Sequence, residues 1–167
     1  MKRLIIIAFL MTLIPTIIFA AEALKHKDHE AKTGVEALSP DLRGVLSQEM
    51  NALESGMISI IPQYNSGNWA EIESTARKMK NSYILKQSLT EKQVKELHSG
   101  LSHAFIEKDQ QFHYLAGMLE HAAKSKKPEL VNFYFSKMNE SCFSCHNKFA
   151  THRFPALKSN NAAEHAH

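Results

Sequence analysis

Apolar residues recur along this chain at intervals of three and four, in four separate stretches. Leu42, Leu46, Met50, Leu53, Met57 and Ile60 form the first stripe, and Trp69, Ile72, Ala76, Met79 and Tyr83 the second. Phe105, Phe112, Leu115, Leu119 and Ala122 form the third, and Val131, Phe135, Met138, Cys142, Cys145 and Phe149 the fourth. Such spacing gathers each set on one side of an α-helix. It predicts helices over roughly 40–62, 69–86, 102–124 and 128–152. Ser39-Pro40-Asp41 reads as a helix start: a capping residue, proline at the first helical position, an acid in the first turn. Pro62 is expected to end the first helix, and Tyr64 to Asn68 to form a loop. Thr90 and Gln93 fit a capping box for a short extra helix reaching Leu97. Pro128 opens the last helix and Pro155 bounds it.

No segment alternates with a period of two, and Gly and Pro are few, 6 and 5. The fold class is therefore all-α, and connections this short make antiparallel neighbours and a four-helix bundle. The bundle should occupy residues 39–155, after a polar lead-in at 24–38 and before a polar tail at 156–167.

The first twenty residues differ from the rest. Lys2-Arg3 precedes an apolar run from Leu4 to Phe19, and small residues follow at Ala20, Ala21 and Ala23. This is the pattern of a secretory signal over residues 1–23, cut after Ala20 or Ala23. An uncleaved membrane anchor is the alternative, since the run falls only a little short of a span. No second run of spanning length follows, so after cleavage no stable membrane insertion is expected, and the protein should be periplasmic. The formal charge is +3, and loss of Lys2 and Arg3 leaves about +1, which gives no electrostatic case for nucleic acid.

Only two cysteines are present, in the motif Cys142-Phe143-Ser144-Cys145-His146. On a helix, residues three and four apart share a side. Both thiols can then reach the two vinyl groups on one porphyrin edge, and His146 can reach the iron; Cys-x-x-Cys-His is the attachment signature of c-type haem. A disulfide in an oxidising compartment is one alternative. A thioredoxin-like pair would want a βαβ context, and a zinc site would want further thiols or a close His pair. The adjacent His, the export segment and the lack of other cysteines favour one covalent haem c.

A single haem motif near the C-terminus of an exported four-helix chain resembles the class II cytochromes c, which include cytochrome c prime and its low-spin relatives. Cys142, Cys145, His146 and Phe149 match the motif region, and Ala150 stands where the family has a basic residue, with Lys148 and Arg153 nearby. The stretch Thr151 to Pro155 is also similar to exported cytochromes that end in Thr-His-Arg-Phe-Pro. The resemblance implies a C-terminal haem-attachment helix faced by the first helix. It implies His146 as one axial ligand and a first-helix residue, Met50 or, second, Met57, as the other. It implies Arg43 beside a haem propionate, and pairing as a homodimer. Against these stand plainer roles: Met as core filler for both Met50 and Met57, and a solvated Arg for Arg43. His103, His113 and His121 read as surface or boundary residues, and His26, His29, His165 and His167 as scattered tail residues.

The expected function is one-electron transport among periplasmic redox partners, with His and Met on the iron. The rival is a five-coordinate haem that binds or senses nitric oxide or carbon monoxide. An enzyme such as a peroxidase would need a distal base, and no signature of one is present. The haem is expected to fill the bundle centre among Met50, Phe112 and Met138.

Overall fold

The computed structural model describes residues 34–158, apart from the Lys86 side chain; the expected signal segment, most of the polar lead-in and the last residues of the polar tail lie outside them. The described chain is a bundle of α-helices: α1 Pro40–Asn65, α2 Trp69–Lys80, α3 Leu85–Ser88, α4 Glu91–Gly100, α5 His103–Lys124 and α6 Pro128–Phe149. No strand occurs among the described residues. None of these helices is long and apolar enough to cross a membrane.

The long helices α1, α2, α5 and α6 run alternately up and down. Arg77 of α2 reaches Glu120 of α5 at 2.8 Å, whereas the later Met79 carbonyl accepts from His113 Nδ1, earlier on α5, at 2.7 Å. The order therefore reverses between the two helices. Phe105, near the start of α5, meets Phe149 at the end of α6, ring centroids 5.3 Å apart. Arg153, just past α6, donates to Ser47 Oγ near the start of α1 at 3.3 Å, while Ile60 and Tyr64 near the end of α1 line a groove with Val131 and Phe135 near the start of α6. α1 rests chiefly on α2 and approaches α5 and α6 at few points.

Two apolar clusters hold the bundle. The larger joins Leu53, Met57, Met79, Leu119, Val131 and Met138 across all four long helices. The smaller gathers Leu38, Leu42, Leu46 and Leu101 at the end where α3 and α4 cross. Met138 is fully buried and Phe112 nearly so, so the bundle centre is closed by side chains, in contrast to the cofactor-filled space expected among Met50, Phe112 and Met138. The cysteine motif lies beyond Met138, toward the end of α6. Packing also starts before Ser39: Leu38 is buried and the Gly34 N–H donates to Gly100 O at 2.8 Å.

The expected caps form. Ser39 Oγ accepts from the Leu42 N–H, and Thr90 and Gln93 exchange both bonds of a capping box. Two expected boundaries move. α1 runs through Pro62 to Asn65. The proline removes one N–H in the last turns, on a side where Ile58 and Ile61 are open to solvent and water can serve the carbonyl that loses its donor. The Ser66 N–H and hydroxyl then both return to Pro62 O.

The second helix stops at Lys80, six residues before the expected end. Its terminus is set by Glu49 of α1, whose carboxylate is wholly buried. Glu49 accepts from the Ser82 hydroxyl at 2.7 Å and from the N–H groups of Tyr83, Ile84 and Leu85 at 2.9, 2.5 and 3.2 Å. Ser82 takes a left-handed φ of 59° to turn these donors toward it. The anion thus stands at the N-terminus of α3 and satisfies backbone donors that a continuing α2 would have used internally.

Removing that acceptor leaves three part-buried backbone N–H groups and the buried Ser82 hydroxyl without it. Glu49→Ala should cost at least about 3 kcal/mol of stability, read from urea unfolding, with faster amide exchange at residues 82–85. A loss under about 1 kcal/mol would show that the carboxylate is not the clamp.

Candidate functional site

Cys142, Cys145 and His146 occupy the last two turns of α6, in one uninterrupted helix. All three are half-buried, and the thiols are not joined in a disulfide. Cys142 packs against the larger apolar cluster. Between the cysteines, Ser144 Oγ accepts from Lys108 Nζ of α5 at 2.8 Å.

Burial dominates the electrostatics. It pushes the Cys142 thiol up. It pushes Cys145 up to about 11, helped by the neighbouring Asp109 carboxylate and by Cys142, with Lys108 opposing. Burial lowers His146 below the ordinary histidine value, and the Glu54 carboxylate on α1 works the other way. A lowered value leaves the imidazole neutral, the form that offers a lone pair to a metal. The His146 ring stacks on Phe154 with centroids 4.7 Å apart and planes within 18°. Past α6 the chain therefore folds back over its own motif.

α1 faces this region with a particular strip. At about 100° per residue, Ser47, Met50 and Glu54 lie within roughly 60° of one another around the helix. Ser47 bonds Arg153, and Glu54 is close enough to act on His146. Met50 lies between them, half-buried, touching both apolar clusters. Met57 lies beyond Glu54 and is 9% exposed within the larger cluster. Arg43 shares the strip but is exposed, its guanidinium donating to Glu36 O at 3.4 Å.

The histidines of α5 separate. His103 and His121 are exposed. His113, expected at a boundary, is buried: its Nδ1 donates to the Met79 carbonyl, and Nε2 stands 3.5 Å from Asp109. Among the described residues no three His, Cys, Asp or Glu side chains converge as a metal-ion site, as a protein-ligated zinc would require.

Sequence reasoning did not anticipate Lys108, Glu54, Ser47 or Phe154 at this site. Only the Thr151 to Pro155 stretch carried a signal, and two of its residues, Arg153 and Phe154, touch α1 and His146.

Folding holds Cys145 protonated, so in the chain with both thiols free its contribution to stability is intact below pH 9 and is lost as pH rises from 9 toward about 11. Alkylation of that chain by iodoacetamide, resolved by peptide mass, should reach half its maximal rate at Cys145 near pH 11. A midpoint near 9 would mean an open, solvated thiol.

Comparison with family models, with curated proteins and with solved structures finds no match for this chain.

Proposed function

We propose that this chain is an exported c-type cytochrome that carries one haem on Cys142 and Cys145 and serves as a one-electron carrier. One observation carries the reading. Both thiols and the imidazole of a Cys-x-x-Cys-His motif stand half-buried on a single helix, facing a helix strip whose central inward residue is a methionine. The donor set suits the group: two thiols that would form thioether bonds, and a neutral imidazole and a methionine sulfur that would hold the iron. The surroundings suit it too, with Phe105 and Phe149 in contact and α1 held apart from α5 and α6.

Haem iron, when bound, supplies a ferric–ferrous couple that takes up and releases single electrons. The chain's own residues set its surroundings. Cys142 and Cys145 anchor it to α6. His146 donates a nitrogen, its ring held in orientation by the stack on Phe154. Met50 is the sulfur donor on α1 best aligned with the motif, since its neighbours on the strip, Ser47 and Glu54, both interact with residues around His146. Met57 is core filler in this reading. Arg43, on the same strip, is the cation available to a propionate.

The mature chain should gain the mass of one haem, which acid-acetone should not extract; a haem-free product with a Cys142–Cys145 disulfide would overturn the proposal. Two substitutions identify the sixth ligand. Met50→Ala should turn the ferric spectrum from low-spin to high-spin and open the ferrous form to carbon monoxide. Met57→Ala should leave the iron low-spin and cost about 2–5 kcal/mol of stability. A wild-type protein that is already high-spin would instead favour the gas-binding role.

A further inference from the structure

Resting on the electron-carrier reading, we propose that Lys108 of α5 sets the reduction potential: Ser144 fixes its positive charge at the edge where the haem is attached, and the charge favours the ferrous state. The Lys108 side chain crosses from α5 to α6, where its Nζ donates to Ser144 Oγ at 2.8 Å. Ser144 stands between Cys142 and Cys145, so the bond brings the ammonium onto the motif itself. A lysine head on a flexible four-carbon stem takes a defined place only when such a bond holds it. Lys108 and Lys137 are the half-buried lysines among the described side chains. Lys137 is neutralised by Glu140 at 2.8 Å. Lys108 is bonded to a neutral hydroxyl, and among the described residues no carboxylate stands within ion-pair distance of it. A hydroxyl replaces only part of the hydration that the cation gives up, and it cancels none of the charge.

The charge reaches one of the two sulfurs. Lys108 acts on Cys145 against burial and against Asp109, the next residue of α5, whose carboxylate stands 3.5 Å from His113 Nε2. Cys142 is governed by burial instead. Lys108 and Asp109 thus act from the same side of the motif with opposite sign. Once Cys145 is bonded to haem, a charge that acts on its sulfur acts on the edge of that group. Ferric haem carries one positive charge more than ferrous haem, so a fixed cation raises the energy of the ferric state the more. Half-burial limits how far salt can screen this.

The test uses the purified holoprotein in a redox buffer poised at the wild-type midpoint, at about 0.15 M ionic strength. Haem content is read first by mass and visible absorption; a wild-type chain without haem ends the electron-carrier reading, and this proposal with it, before any potential is measured. Lys108→Met should lower the ferrous-to-ferric ratio about threefold or more, roughly 30 mV for one electron. Lys108→Arg keeps the charge and should stay within about 1.5-fold of wild type. Ser144→Ala releases the ammonium toward water and should lower the ratio by a smaller factor. Lys124→Met changes net charge equally from a point roughly 24 Å further along α5, beyond the screening length, and should leave the ratio unchanged. No fall with Lys108→Met, or an equal fall with Lys124→Met, would overturn the proposal. A second measurement separates charge from packing in the chain with both thiols free. At about pH 9, Lys108→Met should slow iodoacetamide alkylation of Cys145 several-fold and leave Cys142 unchanged, because a thiolate loses its nearby cation. Faster alkylation of both thiols would make Lys108 a strut between α5 and α6, and would overturn the proposal as well.

Discussion

The wholly buried carboxylate of Glu49 sets the geometry of this bundle. One anion collects a hydroxyl and three backbone N–H groups from the segment after α2, and so decides where α2 ends and α3 begins. It also decides how α1 is rotated about its axis. Glu49 and Met50 are adjacent and therefore about 100° apart around the helix. With Glu49 locked toward Tyr83 and Ile84, Met50 is turned to the opposite edge of the buried face, toward Arg153 and His146. A buried charge is tolerated only when every acceptor position is used, and here four donors converge on it. The arrangement is a tertiary capping box, with the acid supplied by a different helix.

The rest of the packing follows from that rotation. Leu42, Leu53 and Ile60 fall in the middle of the buried face of α1, and Gly56 lies on the Glu49 side. A Cβ at Gly56 would stand 2.7 Å from the Tyr83 hydroxyl, so only glycine lets this side chain lie against α1. Small residues do the same work between α2 and α5, where Ala76, Ala116 and Ala123 are fully buried and let the helices close on each other.

What could be read in the sequence was local. The stripes gave the four long helices; Ser39-Pro40 and Thr90–Gln93 marked helix starts because a cap is made by residues three apart. The early end of α2 was hidden because its cause, Glu49, lies more than thirty residues earlier and looks like one more polar position on α1. Pro62 misled for the opposite reason: a strong local rule yields when the lost donor falls on a wet face near a helix end. At the site, the five-residue motif was legible, since its chemistry needs consecutive spacing on one helix. Ser47, Glu54 and Lys108 were not, since only the antiparallel return of α6 along α1 and α5 brings them near.

The half-burial of the two thiols bears on how such a chain would be made. Both sulfurs lie on α6, so α1 to α5 are synthesised before the motif. Once the bundle closes, Cys142 lies against the apolar cluster and the segment from Thr151 onward folds back over His146. A modifying enzyme needs both sulfurs exposed and the helix unpaired. Maturation on this reading is a race between closure and attachment, and the core that makes the finished protein durable is also what shortens the time in which it can be finished.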